Sequence, residues 1–150
     1  MLIHFLTGSI EFFYTFKQKM KALSTVQSVL LLLIGVVSLF MTLSIVFDLF
    51  GIREKEGNYV LFVVYANLLC GTLYVATVFT NWKKNYKWSF ILLALAFMVL
   101  VVAFYFFKEH IAQGGIYEPK TVKAMSFRTL FTLIMAGISL FLFRKHPQLK

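Results

Sequence analysis

Asp48, Glu109, His110, Tyr117, Glu118 and Arg128 are the groups best able to do chemistry in this chain. All of them lie at the ends of long apolar runs or about two turns inside. Imidazole with carboxylate suits zinc or a neighbouring transition ion, which makes Asp48, Glu109, His110 and Glu118 candidate metal ligands. The same groups could work as a general acid–base pair on a small substrate. Arg128 is the costliest of the set, because an arginine at depth in a membrane span needs a carboxylate partner or must reach outward to water. Asp48, Glu109 and Glu118 are its candidate partners. None of these residues shows a recognised ligand spacing such as HExxH. Charges at span ends are also simply where charges are tolerated, so a structural salt-bridge cluster around Arg128 is the leading expectation. Ligand or ion contact through Tyr117 and Arg128 comes next, and catalysis last.

A second set lies deeper. Asn67, Gly71 and Tyr74 stand at i, i+4 and i+7, so they share one helical face. An asparagine within lipid must find its partner inside the protein. Its structural role would be an interhelical hydrogen bond worth about 0.5–2 kcal/mol. Its functional role, with Tyr74, would be contact with a ligand or ion. Cys70, the one cysteine, has no partner for an internal disulfide, a CxxC redox pair or a thiolate metal site, and reads as a small hydrophobe. The chain has no GxGxxG, P-loop, GxSxG or His-rich run, so nucleotide use and serine hydrolysis lack support. No carboxylate falls at the middle of a span, where a proton-coupled pump would place one. No catalytic residue and no cofactor is assigned, and the balance leans against an enzyme.

The elements that must position these residues follow from composition. Of 150 residues, 60% are hydrophobic and only 14% charged, against about 25% charged in a soluble domain. Four stretches have the length and apolarity of membrane spans: Ala22 to Phe47, Gly57 to Trp82, Trp88 to Phe107, and Ala124 to Phe143, the last interrupted by Arg128 alone. All must be helical, since an isolated strand leaves its backbone unsatisfied in lipid. The first run is too long for a signal peptide and lacks a small-residue cleavage site, so it reads as an anchor. Residues 1–16 are too short and too interrupted to span. They fit an amphipathic interfacial helix with Phe12, Phe13 and Phe16 in the lipid. Pro119 fits the first turn of the last helix.

Small residues form stripes in two spans: Ser28, Gly35, Ser38 and Thr42 in the first, Thr129, Thr132, Ala136 and Ser139 in the fourth. Such stripes let membrane helices approach closely. Aromatic residues mark the span ends, with Trp82, Tyr86 and Trp88 at one side and Tyr59 at the other.

Charge sets the orientation. Lys17, Lys19, Lys21, Lys83, Lys84, Lys87, Arg144, Lys145 and Lys150 flank one side, nine in all; Arg53, Lys55, Lys108, Lys120, Lys123 and Arg128 flank the other, six in all. The positive-inside rule places both termini in the cytoplasm. The net charge of +9 is explained by these clusters beside spans, not by nucleic-acid binding.

The expected architecture is a single all-α transmembrane domain over 1–150. It is a four-helix up–down bundle with spans at about 22–48, 57–82, 87–109 and 120–144, preceded by an interfacial helix at about 2–18. The expected role is a non-enzymatic accessory subunit of a cell membrane, most simply a bacterial inner membrane. Its partners are the bilayer and, through helix faces, itself or another membrane protein. A transporter, channel subunit or small-ligand-binding membrane protein is the alternative, and a membrane-embedded enzyme at the outer leaflet the third reading.

Overall fold

The computed structural model describes residues 2–51 and 60–145, with side chains from residue 14 onward except that of Phe50. The charged first connection, Tyr59, the segment after Lys145 and the side chains of Phe12 and Phe13 lie outside the described residues. Four long helices follow one another: α1 (Leu2–Val46), α2 (Leu61–Trp82), α3 (Tyr86–Ala112) and α4 (Pro119–Lys145), with one 3-10 turn at Leu49–Gly51. Among the described residues there is no strand. All four helices are long and apolar enough to cross a bilayer, the first over Tyr14–Val46. The shortest, α2, has 22 residues, about 33 Å of helix against a hydrocarbon core of about 30 Å.

The separate interfacial helix expected at 2–18 is not found, because α1 runs unbroken from Leu2 to Val46. The reason is local: Lys17, Gln18, Lys19, Met20, Lys21, Ala22 and Leu23 are all strong helix formers, with neither glycine nor proline to stop the helix. Phe16, expected in lipid, instead packs against the cluster of Met20, Tyr86 and Leu142. Tyr86 is accordingly buried, whereas Trp82 and Trp88 stay exposed.

Buried residues recur on α1 and α3 at steps of three and four. On α3 they are Ser89, Leu93, Ala96, Leu100, Ala103 and Phe107. On α1, Ser24, Gln27, Leu31, Gly35, Ser38 and Thr42 are buried. A repeat near 3.5 residues is the pattern of helices packed side by side at shallow angles. Three apolar layers result, centred on Met20 and Leu142, on Leu31, Tyr74 and Leu100, and on Val63, Phe107 and Met125.

Helices consecutive in the chain pack closely, α1 on α2, α2 on α3 and α3 on α4, whereas α1 and α4 meet only sparsely. The α1–α2 approach is close at Gly35 and Gly71. A Cβ on Gly71 would stand 3.0 Å from Leu39 Cγ and 3.2 Å from the Gly35 carbonyl oxygen. Gly35, in the stripe of small residues on α1, therefore packs against α2.

Two helix ends close with the same backbone motif. After α3, Gly114 has a φ of +79° and Gly115 N–H donates to the His110 carbonyl. After α2, Asn85 N–H donates to the Thr80 carbonyl across Lys84, whose φ is +55°. Glycine takes this left-handed position without strain, and lysine does not.

Candidate functional site

Two buried polar regions lie in the bundle, and their hydrogen bonding is opposite in character. The first is at the end bearing the lysines of α1 and of the α2–α3 connection. Gln27 on α1 donates through Nε2 to Ser139 Oγ and to the Met135 carbonyl of α4, each at 2.8 Å. Asn81 on α2 donates through Nδ2 to Gln27 Oε1 at 3.3 Å and to Ser28 Oγ at 3.1 Å. Ser89 on α3 donates to Asn81 Oδ1 at 2.6 Å and pairs with Thr80 Oγ1 at 2.7 Å. All four helices are thus tied by one network whose central members, Gln27, Asn81 and Ser89, are nearly inaccessible to solvent. A polar network in a low-dielectric interior rigidifies what it joins when each group is paired. This network fastens the helices.

The second region lies toward the opposite end, in the seam between α1 and α4. A partly open cavity of about 230 Å³ is walled by α1, α2 and α4, and α3 takes no part in it. Its polar groups are Thr42 from α1, Asn67 from α2, and Lys120, Thr121 and Arg128 from α4; Met41, Ile45 and Met125 supply apolar wall. Helical spacing explains the grouping, since residues 121, 124, 125 and 128 lie on one face of α4. Arg128 is nine residues into α4, roughly 13 Å along its axis from Pro119.

Asn67 and Arg128 differ from the groups of the first region in what they find among the described residues. Asn67 Oδ1 is buried without a hydrogen-bond partner. Among the described residues no carboxylate pairs with Arg128, so the expected ion pair with Asp48, Glu109 or Glu118 does not form. What Arg128 does supply is its backbone carbonyl, which accepts a hydrogen bond from Thr132 Oγ1 at 2.7 Å.

The other candidates read from the sequence are dispersed, and other contacts account for them. Among the described residues no three His, Cys, Asp or Glu side chains gather as a metal would require. Asp48, exposed after the end of α1, has a φ of +54°, and Glu109 is exposed on α3. Glu118, half-buried, immediately precedes α4. His110 faces the Ile116 carbonyl oxygen through Nε2 at 3.3 Å and lies directly over Gly115, where a Cβ would stand 2.3 Å from that nitrogen. The imidazole closes the α3–α4 loop. Tyr117 packs edge-on to Phe107, with ring centroids 6.0 Å apart. Tyr74 is fully buried, hydrogen-bonded to Thr132 and edge-on to Phe131, and is absent from the cavity wall.

Sequence reasoning missed Gln27 and Asn81. The available signal was their place in uncharged runs at the same membrane end, in register with the serines of α3 and α4. Cys70, taken as a small hydrophobe, is buried with its thiol toward the Ala96 carbonyl oxygen at 3.6 Å. Compared with known protein families, curated proteins and solved structures, the chain matches none.

Proposed function

We propose that this chain is a multi-pass membrane protein that binds a small anionic group in the α1–α4 seam, as a ligand-binding protein and not an enzyme. The observation that carries the reading is a coincidence on one cavity. An arginine that no carboxylate among the described residues pairs with lines the same cavity as an asparagine whose buried amide oxygen has no partner. An arginine buried within a span is costly, so an anion that neutralises it gains more there than at a water-exposed surface. The guanidinium offers a planar fork of donors that matches phosphate, sulfate or carboxylate oxygens. Thr42 and Thr121 hydroxyls stand on the same wall.

The accessory reading rests on the outward apolar faces of α3 and α4, which acyl chains cover as well as a partner helix would. The enzymatic reading required Asp48, Glu109 and His110 to converge, and they do not gather. The excess of Lys and Arg, nine against six, supports termini in the cytoplasm. On that assignment the cavity belongs to the outer half of the membrane, with a bacterial inner membrane the simplest setting.

Thermal unfolding in a neutral detergent tests the reading, with inorganic phosphate, sulfate and an anionic phospholipid added in turn. An anion held at 100-fold excess over its Kd stabilises the folded protein by about 2.7 kcal/mol. At least one of the three raises Tm in the wild type and leaves Arg128→Gln unmoved. If none moves the wild-type Tm, the reading fails.

A further inference from the structure

We infer that the occupant of this cavity is the headgroup of an anionic phospholipid that carries a hydroxyl, its phosphate on Arg128 and its hydroxyl donating to Asn67 Oδ1. The inference rests on the anion-binding reading above and names the ligand class. Three observations carry it. First, the cavity has no α3 wall and lies where α1 and α4 meet only sparsely, on a flank of the four helices that acyl chains would cover. Ala124, which lines it from α4, is exposed. Second, the wall is mixed: Thr42, Asn67, Thr121 and Arg128 line it together with Met41, Ile45, Val63, Val64 and Met125. A free inorganic anion would leave the apolar part of that wall without an occupant, whereas a glycerophospholipid covers it with its glycerol backbone and the first methylenes of its chains.

Third, the two polar groups differ in kind. Arg128 provides donors only and calls for an anion. Asn67 Oδ1 is an acceptor and calls for a donor. A sulfate or a fully ionised phosphate satisfies the first and repels the second. A phosphodiester whose headgroup ends in a hydroxyl, as in phosphatidylglycerol, satisfies both. A choline headgroup has no O–H or N–H to offer.

The test uses the full chain in nanodiscs and in detergent, with bound lipid counted by native mass spectrometry. Offered equal amounts of phosphatidylglycerol and phosphatidylcholine, the wild type retains the glycerol lipid at least tenfold over the choline lipid. Arg128→Gln loses that lipid, and Arg128→Lys, which keeps the charge without the fork, retains it at an intermediate level. Asn67→Leu still binds but loses most of the preference between the two headgroups. Gly137→Ala, at a position with nothing within 4 Å of a new Cβ, binds as the wild type and controls for handling.

Inorganic phosphate in detergent separates anion binding from headgroup recognition. If phosphate raises Tm through Arg128 while the glycerol lipid is not retained, the lipid assignment is overturned and anion binding stands. If neither binds the wild type, both are overturned. Retention of the two lipids in equal amounts also overturns the headgroup assignment. Should Arg128→Gln fail to fold, the headgroup preference of the wild type and its loss in Asn67→Leu decide the question without it.

Discussion

Replacing Asn81 with leucine removes the centre of the network that joins the helices, and the size of the effect follows from its partners. Asn81 is 3% exposed, and leucine has the same branched arrangement of four side-chain heavy atoms with bulkier ends, so the substitution leaves no void. Three side-chain hydrogen bonds are lost, to Gln27, Ser28 and Ser89. Two of the partners keep alternatives. Ser28 Oγ still donates to the Ser24 carbonyl, and Ser89 Oγ still has Thr80 Oγ1 and the Asn85 carbonyl. Gln27 Oε1 loses its donor. Interhelical hydrogen bonds within membranes average about 0.6 kcal/mol each, so three amount to roughly 2 kcal/mol. We expect Asn81→Leu to unfold earlier by that amount in a reversible SDS titration followed by circular dichroism, with native helix content unchanged at zero SDS. The double variant Gln27→Leu/Asn81→Leu should cost less than the two singles summed, by about 0.5 kcal/mol, because the pair shares a bond. A loss below about 0.5 kcal/mol for Asn81→Leu, or strict additivity in the double variant, refutes the claim that this network holds the bundle together.

Gly71→Val places a branched side chain where even a Cβ meets Leu39 Cγ at 3.0 Å and the Gly35 carbonyl at 3.2 Å; the same titration should show a loss of about 1–3 kcal/mol. Gly137→Val, where nothing lies within 4 Å, should leave stability within about 0.5 kcal/mol of wild type, and equal losses at both positions would disprove the close α1–α2 approach. Lys84→Gly relieves a left-handed lysine and should raise stability by about 1 kcal/mol, measured by the same unfolding midpoint. A decrease would mean that the lysine side chain contributes more than the strain it imposes.

What the sequence made visible depended on how local the governing physics was. Four long apolar runs, the last interrupted by Arg128 alone, have the length and composition of membrane-spanning helices, and their positions needed no tertiary information. The stripes of small residues were equally legible: Ser28, Gly35, Ser38 and Thr42 are all buried, because close helix approach requires small side chains whatever the partner. The start of α1 was misjudged for the opposite reason. Its charged stretch around Lys17 to Lys21 reads as a boundary between two environments, yet nothing in those residues breaks backbone hydrogen bonding, and the helix continues. The end-of-span cluster failed because proximity in a bundle is not convergence. His110 is turned onto its own loop over Gly115, and Glu109, its neighbour, is exposed on α3. Pairing of Arg128 with a carboxylate was a statement about three-dimensional distance that no spacing in the chain encodes.

The contrast between the two polar regions bears on what selection for stability alone would leave in place. Around Gln27 and Asn81 each amide has its partners, and the arrangement is what a bundle needs to fix its register. Around Asn67 and Arg128 the neighbours include Met41, Ile45 and Met125, and leucine or methionine at either position would pack there without any polar demand. The orphaned Ser44 Oγ has no such weight, because a serine hydroxyl can rotate onto a carbonyl of its own helix. Asparagine and arginine carry their polar ends too far from their own backbone for that remedy. An acceptor without a donor and a cation without a carboxylate partner among the described residues, lining one cavity from α2 and α4, suit a binding site. A ligand that supplies an anion and a donor together meets both.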